Sequence, residues 1–334
     1  MVNWSKLEKI DSLNMKQELL NQGKATVFSL QKSLYNFPEK PVFKNLVITG
    51  AGDKYLIGLM AKFLWESYSS LPIQVVHSRT LFEQKPKFVN KDSLVIALSQ
   101  SGRTRDTLQA VKFVKSRKSQ VLGITNNAFS SIPFVQTSVV ERSIPSSGTF
   151  HATSAVLNFL LLTFLEKKSE LKTYLNVLKK IDVVTNDDKV ISWAKETALK
   201  YKNASDFIVL GDGPRYPVAR KTALIMFMEA AKVNAFPLMT EEFVHSLIET
   251  LEKKQVSPLI LLKPRKSWVS NDLWKNIALI ENLWVDKLVI KPRAKFNVLG
   301  AQLYAPELEW LAYYLALVRG VDPGVGKLVR KVRG

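Results

Sequence analysis

Residues 93–109 read SLVIALSQSGRTRDTLQ. An apolar run stops at Leu98, a hydroxyl-rich turn follows at Ser99–Gly102, and a helix-forming segment begins near Thr104. This order predicts a strand, a turn and a helix N-terminus, where backbone N–H groups and the helix dipole attract an anion. A single hydroxyl would be enough to cap the helix, whereas this turn supplies Ser, Gln, Ser and Thr. We therefore predict an oxyanion site in this turn, with a phosphate as its ligand.

The composition is that of a globular protein with an excess of positive charge. The chain carries 48 Lys and Arg against 29 Asp and Glu, which gives a formal net charge of +19. The basic residues are spread along helices, as at Lys112, Lys115 and Lys118, and no nucleic-acid-binding motif accompanies them. We interpret the charge as a solvated basic surface that attracts anionic metabolites, and we expect no nucleic-acid partner.

Cysteine is absent and histidine is scarce. With no Cys and three His, the sequence excludes thiolate metal sites, disulfides and a Cys nucleophile, and it disfavours a multi-histidine metal site. We therefore expect neither a metal nor a cofactor. The N-terminal residues are charged and polar, and the longest apolar stretch, Val156–Leu165, is too short to cross a bilayer. These features predict a cytoplasmic protein without a membrane partner.

Apolar strands alternate with helical segments along most of the chain. After an N-terminal helix, the first half is predicted to contain strands at Asn45–Thr49, Ile73–His77, Leu94–Leu98, Gln120–Thr125 and Val135–Val139. Three consecutive helices separate these from a second series of strands at Phe207–Leu210, Pro258–Leu262 and Lys287–Ile290. One continuous helix is expected over Pro217–Lys232 and another over Ala305–Val318. Such alternation is typical of parallel sheets covered on both faces, so we predict an α/β fold.

The two halves of the chain resemble each other. NLVITGAGDKYLIG at 45–58 is similar to DFIVLGDGPRYPVA at 206–219, since both have a strand, Gly-x-Gly and then Tyr. SLVIALSQSGRTRDTLQ at 93–109 corresponds to SPLILLKPRKSWVSNDLW at 257–274. There Lys263-Pro264-Arg265 replaces the hydroxyl-rich turn. This internal duplication predicts that the oxyanion turn occurs once, in the first half.

Together these features resemble the sugar isomerase (SIS) domain family. Its most specific motif, Ser-Gln-Ser-Gly-x-Thr-x-Asp-Thr, matches Ser99–Thr107, and the duplication resembles the isomerase half of glucosamine-6-phosphate synthase. The resemblance runs from about residue 40 to the C-terminus and implies two tandem doubly wound parallel-sheet domains. The implied organisation is an N-terminal helical segment at 1–40, SIS domains at 41–182 and 183–320, and a tail over the active site at 321–334.

The resemblance also implies which residues hold and transform a sugar phosphate. The phosphate-binding positions fall on Gly50, Gly52, Ser99, Gln100, Ser101 and Thr104. The catalytic positions fall on Glu229, His245 and Lys331. Glu229 and His245 take these positions only if one residue is inserted in the comparison, and without the insertion Met228 takes the position of Glu229. Departures from the family pattern occur at Ala51, Gly52, Gly148 and Met226, the last standing near the position of a synthase lysine.

These residue types suit aldose–ketose chemistry on a hexose 6-phosphate. A carboxylate can move a proton between C1 and C2, a histidine can open the ring near neutral pH, and a lysine can stabilise an enolate or form a Schiff base. The favoured hypothesis is deamination of glucosamine 6-phosphate to fructose 6-phosphate and ammonia, without glutaminase activity. The alternatives are a phosphosugar isomerase without amino chemistry and a non-catalytic phosphosugar-binding regulatory protein. The resemblance further implies a homodimer in which His245 acts in the neighbouring subunit's site.

Overall fold

A computed structural model describes residues 2–127, 134–136, 147–252 and 257–326. The chain forms two compact units. The first-sheet unit comprises residues 21–142 and 148–180, and the second-sheet unit comprises residues 1–20, 143–147 and 181–334. Each unit contains one parallel sheet, which confirms the predicted α/β class.

The first-sheet unit is built on five parallel strands in the order β2-β1-β3-β4-β5. The strands are β1 (Asn45–Gly50), β2 (Ile73–His77), β3 (Ser93–Leu98), β4 (Gln120–Thr125) and β5 (Phe134–Gln136). All were predicted, although residues 137–139 of the last one lie outside the described residues. Apolar side chains such as Val47 and Val95 pack against Phe113 and Val114 of a covering helix, and this core fixes the strand ends that carry the turns.

The second-sheet unit has four parallel strands in the order β7-β6-β8-β9. The strands are β6 (Asp206–Leu210), β7 (Asn234–Leu238), β8 (Leu259–Leu262) and β9 (Lys287–Ile290). Strand β7 was not predicted, because Pro237 interrupts its short apolar pattern. Its position at the sheet edge explains why the proline is tolerated there. The order matches the first four strands of the other sheet, as the internal similarity suggests.

Helices connect and cover the strands of both units. They are α1 (Trp4–Leu7), α2 (Met15–Leu34), α3 (Asp53–Glu66), α4 (Ser78–Gln84), α5 (Arg105–Ser116), α6 (Ser147–Phe164), α7 (Lys168–Thr185), α8 (Asp188–Lys200), α9 (Tyr216–Lys221), α10 (Thr240–His245), α11 (Asn271–Leu283), α12 (Asn297–Gly300) and α13 (Ala305–Val318). Within the described ranges, no helix is both long and apolar enough to cross a membrane.

One predicted helix differs in kind. The expected continuous α-helix over Pro217–Lys232 is an α-helix only to Lys221, and Thr222–Ala231 continues as a π-helix. The π-helical bond joins residues i and i+5, so each hydrogen-bonded ring holds one residue more than in an α-helix. Apolar periodicity does not distinguish the two forms over so short a run, which is why the sequence predicted a plain α-helix.

Candidate functional site

The hydroxyl-rich turn lies at the carboxyl edge of the first sheet. It connects β3 to α5, and β3 pairs with β1 in a register that sets Leu98 opposite Gly50. The turns after β1 and β3 therefore leave the sheet at the same level, side by side. Strands β2 and β4 lie on opposite sides of this pair, so the chain reverses its winding direction here. Open α/β sheets bind ligands at such a switch point.

The hydroxyl groups of this turn are not used to cap the following helix. Ser99 is buried, and its Oγ lies 3.0 Å from Thr104 Oγ1. Thr104 is the N-cap residue of α5 but makes no side-chain capping hydrogen bond. Ser101 is exposed, and its Oγ accepts a hydrogen bond of 3.1 Å from the Arg103 N–H. The capping interpretation therefore does not explain why the turn needs these residues.

The turn is held rigidly by the end of β4. The carbonyl of Gln100 accepts a hydrogen bond from the Asn126 N–H at 2.9 Å, and the carbonyl of Ser101 accepts one from Asn127 Nδ2 at 3.2 Å. Gly102 adopts a φ of +64°, and a Cβ there would lie 2.7 Å from the Asn127 carbonyl oxygen. Only glycine fits this position without moving β4.

The neighbouring turn after β1 contains a buried ion pair. Gly52 has a φ of +59° and directs the chain into α3. Lys54 follows with 5% exposure, and its Nζ lies 3.0 Å from Asp53 Oδ2 and 3.4 Å from the Thr149 carbonyl. A Cβ on Gly50 would lie 2.7 Å from Lys54 Cβ. The sequence pattern indicated the two glycines but not this buried cation, because a lysine beside an aspartate is typical of an exposed ion pair.

Glu229 lies in the π-helical segment of the second-sheet unit. The residue is half-buried, between the half-buried Met228 and the buried Ala230. Its assignment requires one inserted residue, and without that insertion Met228 would take its place. A π-helix accommodates an extra residue without changing the elements on either side. The π-helix therefore supplies the local structure that the insertion needs.

A lysine that the sequence analysis did not consider lies next to Glu229. Lys232 ends the π-helix in the left-handed conformation, with a φ of 54°. Its Nζ donates a hydrogen bond to the backbone carbonyl of Glu229. Partial desolvation of the ammonium lowers the pKa of Lys232, and the carboxylates of Glu229 and Asp322 oppose that shift. The sequence did not indicate Lys232, because the family's lysine stands one turn before the glutamate and Lys232 follows Glu229.

His245 lies at the end of α10 and is exposed. Its side chain is 74% accessible, and Nε2 lies 2.8 Å from Glu241 Oε1. Within the described residues, no hydrogen bond or ion pair joins it to Glu229. Lys331 lies outside the described residues. The phosphate-binding candidates thus belong to the first-sheet unit, whereas Glu229 and His245 belong to the second-sheet unit. The roles assigned to all of them stay predictions.

Comparison with protein families and curated proteins agrees with the motif. Residues 43–162 match the SIS domain family. The glutamine–fructose-6-phosphate aminotransferase (isomerizing) of Bacteroides thetaiotaomicron is 27% identical over 307 residues, which are 84% of this chain and 49% of that protein. The enzyme of the same name from Pyrococcus horikoshii is 25% identical over 342 residues, 92% of this chain and 55% of that protein. The chain therefore spans about half the length of these relatives.

Solved structures share the fold over nearly the whole chain. The C-terminal domain of glucosamine-fructose-6-phosphate aminotransferase from Francisella tularensis superposes with a TM-score of 0.76 at 18% identity, covering 93% of this chain and 97% of that one. Glucosamine-6-phosphate deaminase from Thermotoga maritima gives a TM-score of 0.72 at 16% identity, covering 94% and 97%. These TM-scores establish a common fold. The chain thus carries a SIS domain at residues 43–162, as the Ser99–Thr107 motif predicted.

Proposed function

We propose that this protein binds a hexose 6-phosphate at the turn Ser99–Thr104 and performs aldose–ketose chemistry on it. The observation that carries the proposal is the turn itself. It lies at the switch point of a parallel sheet, and its helix N-terminus has no side-chain cap from Thr104. Backbone N–H groups and hydroxyls at such a helix N-terminus suit a phosphate dianion.

The specific reaction we propose is deamination of glucosamine 6-phosphate to fructose 6-phosphate and ammonia. Glu229 supplies a carboxylate for proton transfer between C1 and C2, and His245 supplies the acid or base for ring opening. Lys232 supplies an ammonium beside Glu229, on a helix where Met226 stands near the family's lysine position. The name of the curated relatives contains fructose 6-phosphate, which is the product of the proposed reaction, and the name of the Thermotoga maritima enzyme contains its substrate, glucosamine 6-phosphate.

The direct test is release of free ammonia from glucosamine 6-phosphate by the purified protein. We expect ammonia and fructose 6-phosphate in equal amounts, and no turnover by the Glu229→Gln variant. Glu196→Gln is the matched control, because Glu196 is an exposed glutamate on α8 of the same unit. Turnover of glucose 6-phosphate or mannose 6-phosphate, with none of glucosamine 6-phosphate, would replace deamination by simple isomerisation.

A non-catalytic phosphosugar-binding role is the second candidate. Ala51 and Gly52 stand where family members carry hydroxyl residues, and Met226 cannot perform the chemistry of a lysine. This candidate predicts that the wild-type protein binds glucosamine 6-phosphate without converting it. It also predicts that Glu229→Gln binds the sugar as well as wild type does.

The proposal includes a homodimer in which His245 completes the neighbouring subunit's site. The exposure of His245 leaves it accessible to a second copy of the chain. Mixing Glu229→Gln with His245→Ala protein should restore ammonia release, because one of the two sites in a hybrid dimer would then be intact. No recovery in verified hybrid dimers would place both residues in the same subunit's site.

A further inference from the structure

The turn after β6 contains a buried arginine. Arg215 occupies the position in GDGPRY that Lys54 occupies in GAGDKY. It is 1% exposed, and its Nη1 donates a hydrogen bond to Asn297 Oδ1. Its Nε is buried without a hydrogen-bond partner, and among the described residues no carboxylate lies within ion-pair distance of it. A buried charge without a partner is costly, so this arrangement calls for a counter-ion.

The carboxylate that acts electrostatically on Arg215 is already hydrogen-bonded elsewhere. Asp212 attracts Arg215 electrostatically, but its Oδ1 accepts the Thr240 N–H at 2.9 Å and its Oδ2 accepts the Thr240 hydroxyl at 2.5 Å. Burial lowers the pKa of Arg215, yet an arginine remains protonated in proteins. The charge of Arg215 therefore persists, and Asp212 does not bind it directly.

A second turn contributes cationic and polar groups at the same edge. Strands β6 and β8 pair with Leu210 opposite Leu261, so the turns that follow them leave the second sheet together. Tyr304 donates a hydrogen bond of 2.6 Å to the Lys263 carbonyl, at the start of the turn after β8. Burial raises the pKa of Tyr304, and the charges of both Arg215 and Arg265 oppose that shift. Arg265 itself is exposed, and its guanidinium lies over the Trp268 ring, 5.6 Å from the ring centroid. The strand register thus brings the turns of a buried and an exposed arginine to the same edge of the sheet.

The two equivalent cations differ in one neighbour. Lys54 has Asp53 as its counter-charge, whereas Arg215 follows Pro214 and has no carboxylate within ion-pair distance in the part of the chain that the structure describes. We propose that the second-sheet unit holds a second phosphate site, at the carboxyl ends of β6 and β8, in which Arg215 and Arg265 bind the phosphate group of a small metabolite. The site is separate from the Ser99–Thr104 turn and does not depend on the proposed reaction.

The charge of the site favours phosphate over carboxylate. Two guanidinium groups match the charge of a phosphate monoester, which is close to −2 at neutral pH. The free Nε lies on the edge of the guanidinium that forms paired hydrogen bonds with an oxyanion. The site uses charged side chains where the first site uses hydroxyls and a helix N-terminus, so the two differ in chemistry as well as position.

Calorimetric titration of the full chain with inorganic phosphate tests this proposal. Wild type should show two sites. Arg215→Gln should lose one of them, with at least a tenfold weaker affinity there. Pro214→Asp should weaken the same site by a similar factor, because it gives Arg215 the counter-charge that Asp53 gives Lys54. Arg220→Gln, the same substitution on the next helix, should titrate as wild type does.

The outcomes separate the two proposed sites. The double variant Ser99→Ala, Ser101→Ala should keep phosphate binding at Arg215 and lose it at the Ser99–Thr104 turn. If this variant still binds phosphate at two sites, the Ser99–Thr104 site alone is contradicted. The second site is overturned if Pro214→Asp binds phosphate as wild type does, a result that stands even if Arg215→Gln does not fold. Acetate that binds as tightly as phosphate would overturn the assignment to phosphate.

Discussion

The turns after β1 and β6 have similar backbones but differ in how the charge of a buried cation is neutralised. Each has Gly-x-Gly after a central strand, and the second glycine is left-handed in both, with a φ of +59° at Gly52 and +54° at Gly213. Each then buries a cation, Lys54 or Arg215. In the first turn Asp53 neutralises it within the chain, whereas in the second Pro214 cannot.

This difference shows how a duplicated fold can diverge in chemistry. The sheet order and the turn geometry have been kept in both units, so the position of the cation has been kept too. In the first turn the neighbouring Asp53 pairs with the cation, whereas in the second turn the neighbour is Pro214, which carries no charge. On the proposal made above, this difference leaves Arg215 to bind a phosphate. The turns after β3 and β8 also differ in charge. The first has the uncharged residues Ser99–Gly102, and the second has the basic residues of Lys263-Pro264-Arg265.

The largest effect is expected where a buried ion pair would lose its carboxylate. Lys221 and Glu309, in the second-sheet unit, lie 2.5 Å apart with side-chain exposures of 1% and 0%. Glu309→Gln should lower the free energy of unfolding by about 4 kcal/mol, because it leaves a buried ammonium without a carboxylate. Urea denaturation measures this loss. Glu83→Gln, which breaks the exposed Arg79–Glu83 pair, is the control and should change stability by less than about 1 kcal/mol.

Asp53→Asn would make the first turn electrostatically like the second. Lys54 would then be a buried cation without a carboxylate, at a cost of about 3 kcal/mol in the free energy of unfolding. If the comparison between the turns is correct, added phosphate should restore part of this stability by binding the ammonium of Lys54. An unchanged urea midpoint in Asp53→Asn would show that the Thr149 carbonyl alone satisfies Lys54.

The left-handed glycines provide a smaller and sharper comparison. Gly102→Ala should cost about 2 kcal/mol, because it adds a clash with the Asn127 carbonyl to the strain of a left-handed alanine. Gly213→Ala should cost about 1 kcal/mol, since nothing lies within 4 Å of the Cβ it would add. Parallel urea titrations of the two variants measure the difference. Equal losses would mean that the clash at Gly102 relaxes freely and that the turn is less rigid than its contacts indicate.

Much of the fold follows from residue pattern alone. The strands Gln120–Thr125 and Lys287–Ile290 and the helix Ala305–Val318 have the predicted ends, because apolar runs bounded by turn residues carry that information locally. Strand β7 was missed, because tolerance of Pro237 depends on which strand lies at the sheet edge. The π-helix was missed, because an all-apolar run gives no periodicity by which to count residues per turn.

The residues of the candidate site likewise differ in how well the sequence predicts them. The Ser99–Thr107 motif is local, and the family comparison confirms what it predicts about residues 43–162. The burial of Lys54 and Arg215 is not local, because it depends on elements that return to the turns from distant positions such as Thr149 and Asn297. The sequence aligned these two cations with each other. It could not show that Lys54 has a carboxylate within ion-pair distance whereas Arg215, among the described residues, has none.

The smallest stability effect is expected at His245, whose side chain lies outside the protein core. Its partner Glu241 is 63% exposed, so water screens the pair and Glu241→Gln should change the free energy of unfolding by less than about 0.5 kcal/mol. His245→Ala should be equally mild for stability but should abolish ammonia release, if His245 opens the sugar ring. Urea denaturation and the ammonia assay on the same preparations separate these readouts. Full activity of the His245→Ala variant would show that His245 does not open the sugar ring. His245 would then differ from the buried cations in its exposure alone.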